Sequence, residues 1–229
     1  MVDVVYMLKE SDTNPELAYS LRSIERNLAF GRVWFYGGKP TGFQPDCNVR
    51  MEQYGTSKWK RVRNMLERAC KNSDITEDFY LFNDDFYVLQ RMESVPFMYN
   101  GSIADHVLHI ESRHMNLPST YTMQLRKARQ ALVEAGLPTL NYAIHVPLLV
   151  NRARMLETLM RFPDVPMFRN MYGNMWIQGA IKHEDVKIVG LDRVPEGWDF
   201  CSTDDASFRD GKVGEYVRGM FTEKSRWEV

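Results

Sequence analysis

The sequence predicts a single α/β domain over residues 1–229, with a mixed sheet flanked by helices. The first observation is the β, α, β order at the start of the chain, which is the unit of a right-handed parallel crossover. The second is that no stretch reads as a linker, an internal repeat or a low-complexity segment. The third is the length, because 229 residues can bury one large core without needing a second domain.

The first elements follow from local patterns. Residues 2–8 are a β-branched run typical of a buried strand. A helix then begins at Pro15, with Thr13 or Asn14 as its cap, and its apolar residues recur at helical spacing at Leu17, Leu21, Ile24 and Leu28. Two glycines end a second strand at 32–38.

The next elements are predicted in the same way. Residues 48–54 suggest a short strand, and a helix follows over 58–72 with Ser57 or Thr56 as its cap. One face of this helix is apolar, and the opposite face carries Lys58, Lys60, Arg61, Arg63 and Arg68.

The second half of the chain continues the alternation. We predict a strand at 104–112 and a basic amphipathic helix at 121–135, which Gly136 and Pro138 end. Two shorter helices are predicted at 151–162 and 173–183. A late strand is predicted at 186–191, and the tail from residue 201 suggests a short helix wrapping the domain.

Composition excludes several classes of protein. A net charge of -1 gives no overall attraction to polyanions, so any contact with nucleic acid must be local. There is no signal-peptide pattern and no apolar run of about 18 residues, so we expect a soluble, cytoplasmic protein with no membrane partner and no obligate protein partner. Cys47, Cys70 and Cys201 are widely spaced without a CxxC, which argues against a disulfide framework and a zinc site.

An acidic triplet interrupts the apolar run "DFYLFNDDFYVLQ" at residues 78–90. Alternation along a strand places Asn83 and Asp85 on one face and Asp84 on the other, unless the strand ends there. Ligands of open α/β sheets bind outside the carboxyl ends of the strands, and Mg²⁺ or Mn²⁺ there would be held by one or two carboxylates plus diphosphate oxygens. The alternative is a solvated turn, or an acid paired with an arginine of the preceding helix.

Several segments, taken in order, resemble the Stealth proteins. They are "DVVYML" followed by "NPELAYSLRSIERNL", "SKWKRVRNMLERA" leading into "FYLFNDDFYVL", then "IHVPLLVNRARMLETL" and "FRNMYGN". That family includes bacterial capsule sugar-phosphate transferases and shares the catalytic core of nucleotide-sugar glycosyltransferases of the GT-A fold. The small size and the stretch from "STDDASF" to "SRWE" look more like compact phage-encoded glycosyltransferases, some of which modify hydroxymethylated pyrimidines in DNA. The resemblance implies a GT-A-like, Rossmann-type sheet.

The resemblance also implies roles for individual residues. Asp85 would bind the metal that bridges the donor phosphates, and Asn83 or Asp84 would touch the ribose or orient the sugar. His145, in "IHVP", would be a metal ligand or a general base, and Arg169 would stabilise phosphate charge. The residues that would contact the donor are Tyr6, Arg22, Lys58, Arg61 and Asn64. The alternative for each is a plain structural role: a core strand, a solvated helix face or a surface salt bridge.

Other titratable residues stay open at this point. His106 and His109 do not share a face of the predicted strand, so with His114 they are interpreted as structural or acceptor-side residues rather than a metal site. The candidate bases for an inverting attack are Asp105, Glu111 and Asp199.

The sequence therefore predicts a metal-dependent glycosyltransferase that uses a nucleotide-diphosphate sugar and transfers the sugar to a hydroxyl acceptor. DNA with a hydroxymethylated pyrimidine is the first acceptor to consider, because the basic clusters "KWKRVR" and "RKAR" could follow a phosphate backbone and the target base could be extruded. The alternatives are a sugar-phosphate transferase acting on a glycan, and a noncatalytic module whose basic helices bind a partner.

Overall fold

A computed structural model describes residues 1–53, 57–113 and 117–229 of the chain. The strands are β1 (Asp3–Leu8), β2 (Val33–Gly37), β3 (Cys47–Arg50), β4 (Asp78–Phe82), β5 (Phe86–Val88), β6 (Met98–Tyr99), β7 (Leu148–Asn151), β8 (Ile181–Lys182), β9 (Lys187–Ile188) and β10 (Phe200–Thr203). The helices are α1 (Pro15–Asn27), α2 (Lys58–Lys71), α3 (Ile103–Arg113), α4 (Thr120–Glu134), α5 (Arg152–Arg161), α6 (Phe168–Trp176), α7 (Asp205–Asp210) and α8 (Lys212–Met220).

A five-stranded sheet lies at the centre, in the order β3-β2-β1-β4-β7. The neighbours among β1 to β4 run parallel, and β7 joins β4 antiparallel, so the sheet is mixed. Alternate residues of β1 face two cores: Tyr6 packs in the one that holds the apolar face of α1, and Met7 packs in the one that holds α2 and α5. The predicted α/β fold with a mixed sheet flanked by helices is confirmed.

A second sheet, in the order β5-β10-β9, lies against α1. The Ser20 hydroxyl donates to the carbonyl of Phe86 at 2.6 Å, and the Ser23 hydroxyl accepts from the amide of Val88 at 3.0 Å. These bonds satisfy two polar backbone groups of a short strand that a helix covers. They fix β5, and therefore the turn before it, relative to α1.

The structure differs from the prediction in two runs of residues. The run at 78–90 is two strands, because the chain turns at Asp84 and Asp85 and enters the second sheet. Residues 104–112 are part of α3. The Ser102 hydroxyl accepts from the amide of Asp105 at 3.0 Å, as a helix cap does, and the buried residues Ile103 and Val107 lie four apart.

Other boundaries differ less. The helix predicted at 173–183 begins earlier, at Phe168, and ends at Trp176, after which the chain forms β8. The helix predicted at 121–135 is confirmed as α4, with Gly136 at φ 67° after its end. Asn14 is confirmed as the cap of α1, whereas Thr56 lies outside the described residues. In the ranges that the structure covers, no helix is long and apolar enough to span a bilayer.

Candidate functional site

The acidic triplet forms the turn between β4 and β5. β4 pairs with β1 in parallel, so the turn lies at the carboxyl ends of the two central strands, where open α/β sheets bind their ligands. Asn83 is exposed, and Asp84 and Asp85 are half-buried. The expectation that the triplet closes a strand at this edge is confirmed, and the turn leaves both carboxylates near solvent.

Asp84 lies between the beginnings of two helices. Its Oδ2 accepts a hydrogen bond of 2.6 Å from the side-chain amide of Asn14, whose own oxygen caps α1 by accepting from the amide of Leu17. Burial raises the pKa of Asp84 above its usual value, and the Asn14 hydrogen bond and the charge of Lys58 offset this only in part. Lys58 is thus close enough to act electrostatically on the carboxylate, as its place among the expected donor residues requires.

Asp85 is held by the second sheet. Its Oδ2 accepts from the Ser202 hydroxyl at 2.9 Å and from the Lys187 ammonium at 3.1 Å. The side chains of Asp85 and Lys187 are 14% and 26% exposed, so this ion pair is half-buried. Neither partner was expected from the sequence, because β10 pairs with β5, and β9 with β10, only through contacts between distant parts of the chain.

Glu16 adds a third carboxyl group. It is buried, and its Oε1 accepts from the Thr203 hydroxyl at 2.7 Å. Burial raises the pKa of Glu16 to about 7, with further contributions from the negative charges of Asp85 and Asp84. Glu16 was not among the residues expected at the site, because an acidic side chain in the first turn of a helix is common.

His145 pairs with Asp185. The ring Nδ1 lies 2.8 Å from Oδ2 of Asp185, and the backbone amide of His145 donates to Oδ1 at 3.0 Å. Burial alone would raise the pKa of Asp185, but its interactions with His145 hold the pKa below the usual range. A carboxylate on Nδ1 favours the tautomer whose Nε2 is a free acceptor, which is the form of a general base.

Lys187 connects the two acidic groups. Its backbone amide donates to Oδ1 of Asp185 at 3.3 Å, while its ammonium contacts Asp85. Phe86 lies on the other side of this connection, with its ring centroid 6.4 Å from that of His145. The acidic turn and the His145–Asp185 pair therefore belong to one site.

Arg169 completes this site from α6. Its guanidinium lies over the Phe86 ring at 5.7 Å and donates to the carbonyl of Val146, and its buried Nε has no hydrogen-bond partner. Burial lowers the pKa of Arg169 to about 10. The negative charges of Asp185 and Asp85 act in the opposite direction and raise the pKa, but their effect is smaller. Arg169 thus supplies positive charge close to both carboxylates.

A cleft of about 400 Å³ opens beside the pair. It is lined by residues 182–186 and 197–199, among them Asp185, Trp198 and Asp199. Asp185 is both a wall of the cleft and the partner of His145, whereas His145 is not one of the lining residues. Of the three candidate bases, only Asp199 is among the residues that line this cleft. The Glu111 carboxylate pairs with Arg126, and the Asp105 carboxylate accepts from the Ser102 hydroxyl.

The carboxylates suit a hard divalent cation in ligand type and charge. Asp84 and Asp85 offer oxygen ligands, and their negative charges also act on the nearby carboxyl group of Glu16. Among the described residues, no group of three or more His, Cys, Asp or Glu side chains could hold a metal. A cation here would therefore take its other ligands from phosphate and water, as Mg²⁺ commonly does.

Some expected donor residues lie elsewhere. Tyr6 is fully buried, and its hydroxyl bonds to that of Ser20 at 2.9 Å. Arg22 forms two hydrogen bonds to Glu228 and one to the carbonyl of Phe221, so its guanidinium holds the C-terminal segment. The described hydrogen bonds of Arg22 are with the C-terminal segment and not with the acidic turn, whereas the buried Tyr6 lies close enough for the charge of Asp84 to act on its hydroxyl.

The remaining residues are on helices. Arg61 is half-buried and Asn64 is exposed on α2. His106 is on α3. Burial lowers its pKa, and the opposing charge of Asp185 offsets this only in part. Because the charge of Asp185 acts on His106, His106 lies on the same side of the site as His145. His114 lies outside the described residues.

Comparison with known proteins adds little. No family model matches the chain, and no curated protein is similar to it. Among solved structures, the crystal structure of mouse xyloside xylosyltransferase 1 in its apo form is similar, with a TM-score of 0.34 and 10% sequence identity. The match covers 100% of this chain and 96% of that chain. At this TM-score the likeness carries no argument about what the present chain does.

Proposed function

We propose that this chain is a nucleotide-sugar glycosyltransferase whose donor binds at the acidic turn and whose acceptor binds in the cleft beside His145. The observation that carries the proposal is the connection between Asp85 and the His145–Asp185 pair through Lys187. This connection links two features: a turn suited to a diphosphate and its bound cation, and a histidine held in position to act as a base. Glycosyl transfer to a hydroxyl needs both features in one site.

In the proposed mechanism the donor diphosphate lies against the turn, near the cations Lys58, Arg169 and Lys187. Asp85, with Asp84, would hold Mg²⁺ or Mn²⁺, which offsets the charge that develops on the leaving diphosphate. Asn83, exposed on the turn, would hydrogen-bond to the ribose or the sugar.

His145 has the role of general base. Its Nε2 takes the proton of the acceptor hydroxyl, the oxygen forms a bond to the anomeric carbon, and the nucleoside diphosphate leaves with the bonding electrons. Asp185 holds the imidazole in the required tautomer and balances the charge of the imidazolium that forms. We assign this role in place of the metal-ligand role because, among the described residues, no group of three or more His, Cys, Asp or Glu side chains could hold a metal.

The acceptor follows from the charge of the cleft. Its walls carry Glu184, Asp185 and Asp199 against Lys182, so they favour an uncharged hydroxyl compound over a polyanion. A hydroxymethylated pyrimidine in DNA remains a prediction, and it would have to leave the helix to reach His145. A sugar-phosphate transferase acting on a glycan uses the same site but releases a nucleoside monophosphate, so product analysis separates the two reactions.

The test is the melting temperature of the protein with a panel of nucleoside diphosphates and their sugars, each with Mn²⁺, with Mg²⁺ and with chelator. A ligand that binds the folded state raises the melting temperature by mass action. We expect one nucleotide to give a metal-dependent rise that Asp85→Ala loses and that Asp192→Ala, at an exposed carboxylate, keeps. No rise with any ligand at millimolar concentration would contradict the proposal and favour a noncatalytic module.

A further inference from the structure

The position of Lys187 is set by strand pairing. β9 and β10 are parallel with Lys187 in register with Ser202, and β10 pairs antiparallel with β5 so that Ser202 is opposite Phe86. This arrangement places both side chains beside Asp85, the residue before Phe86. Both donate to the same carboxylate oxygen, Oδ2.

The pair of Lys187 and Asp85 is less exposed than an ordinary surface ion pair. Both side chains are largely withdrawn from water, so the attraction is screened less than between exposed groups. The backbone of Lys187 is also held by Asp185, which limits how far the side chain can move. The ammonium therefore occupies one of the two carboxylate oxygens, Oδ2, and places a positive charge next to the other.

We infer that Lys187 is a positioning residue that prevents a divalent cation from binding to Asp85 on its own, and that admits the cation only together with a diphosphate. A bare cation on Asp85 would lie beside the half-buried ammonium of Lys187, and the repulsion between the two positive charges is costly there. A cation that arrives with a diphosphate brings an anion with which Lys187 can pair instead. This inference rests on the proposed donor site, and it adds an order of binding to it.

The experiment uses two probes, Mn²⁺ alone and preformed Mn²⁺–pyrophosphate, in calorimetric titrations of the folded protein. In Lys187→Met we expect Mn²⁺ alone to bind at least about tenfold more tightly than in the wild type, because Asp85 loses its internal cation. We expect Mn²⁺–pyrophosphate to bind more weakly in the same variant, because a partner of the diphosphate is lost. Opposite changes for the two probes are not expected from a general loss of structure.

Three further variants are the controls. Lys187→Arg keeps the charge and should bind both probes as the wild type does, and so should Lys212→Met, which removes an exposed lysine on α8. Adding Asp85→Asn to Lys187→Met should abolish the gain in Mn²⁺ affinity.

The inference is overturned if Lys187→Met binds Mn²⁺ alone no more tightly than the wild type, or if both probes change in the same direction. Failure of the donor site itself would appear separately, as the absence of any nucleotide-dependent rise in the melting temperature of the wild-type protein.

Discussion

At the scale of single residues, the tautomer of His145 is the property on which the proposed base depends. Replacement of Asp185 by Asn removes the carboxylate that accepts from Nδ1 and puts a weaker, neutral partner in its place. We expect the fraction of His145 with an unprotonated Nε2 to fall in Asp185→Asn, and glycosyl transfer to fall by roughly 10²-fold or more. The ring nitrogen chemical shifts, measured by NMR on ¹⁵N-histidine-labelled protein, report the tautomer without any substrate.

His109 gives an internal reference in the same spectra, because it is exposed on α3 and does not line the cleft. Its shifts should not change in the variant. Nucleotide-induced stabilisation should also persist, since the donor turn is intact. Unchanged shifts for His145 would contradict the assignment of Asp185 as its positioning partner.

Glu16 predicts an unusual dependence of stability on pH. Its pKa is about 7 in the folded protein, above its usual 4.5, so the folded state holds the proton more tightly than the unfolded state. Stability from this group is therefore complete below about pH 4.5 and is lost as pH rises through 7. Glu16→Gln keeps an oxygen for Thr203 and removes the titration.

We expect Glu16→Gln to be more stable than the wild type at pH 8 by roughly 1–3 kcal/mol, and to be similar at pH 5. Urea unfolding at the two pH values, in the presence of chelator, measures this difference. Glu215→Gln, at an exposed position of α8, is the matched control and should show no such change. A difference between wild type and Glu16→Gln that does not depend on pH would contradict the prediction.

At the scale of elements, the sequence predicted what depends on local pattern. β1 and α1 were predicted because strand composition, the Asn14 cap and Pro15 are all encoded within a few residues. α3 was missed because its charged and apolar residues fit both an alternating and a helical spacing. β5 was predicted as a continuation of β4, since nothing local indicates that the chain changes sheets.

The same distinction holds for the site. Asp84, Asp85, His145 and Arg169 were identified from the sequence, and the structure brings them together. Lys187 was missed because its contact with Asp85 spans 102 positions. Pairing over such distances depends on the packing of whole sheets, which single-sequence patterns do not contain.

Helix α6 predicts a strong effect at Gly173. A Cβ added there would lie 2.3 Å from the ring of Tyr142, which precedes His145 by three residues. Gly173→Ala must therefore displace α6 or the 142–145 segment, and we expect a loss of about 1–3 kcal/mol of stability. It should also weaken nucleotide binding, since Arg169 is on the same helix.

Gly219 on α8 is the control for helix propensity, because a Cβ there meets no atom within 4 Å. We expect Gly219→Ala to be neutral or stabilising by up to about 1 kcal/mol. Chemical denaturation of both variants makes the comparison. Equal effects of the two substitutions would show that α6 tolerates a larger separation from Tyr142.

At the scale of the whole molecule, residues 221–229 hold distant parts of the chain together. The carbonyl of Trp227 accepts from the amide of Gln44, and its indole donates to Asp46 at 3.2 Å. Glu228 binds the guanidinium of Arg22 on α1. The last residues thus tie the segment between β2 and β3 to the helix that supports the acidic turn.

Trp227 is the apolar centre of this contact, since it is 1% exposed and packs in the same core as β1 and α1. Trp227→Ala should cost about 3–5 kcal/mol through lost burial and the cavity left behind. For a chain of this length, that corresponds to a fall in melting temperature of roughly 10 °C. Val229→Ala, at a side chain 78% exposed, should change the melting temperature by little.

Trp227→Ala should also affect binding, because Asn14, the cap of α1, is the partner of Asp84. The Trp227 variant should therefore lose affinity for the nucleotide at temperatures where it is still folded. If the variant melts about 10 °C lower but binds the nucleotide as the wild type does, the C-terminal segment stabilises the fold without affecting the site, and the prediction is contradicted.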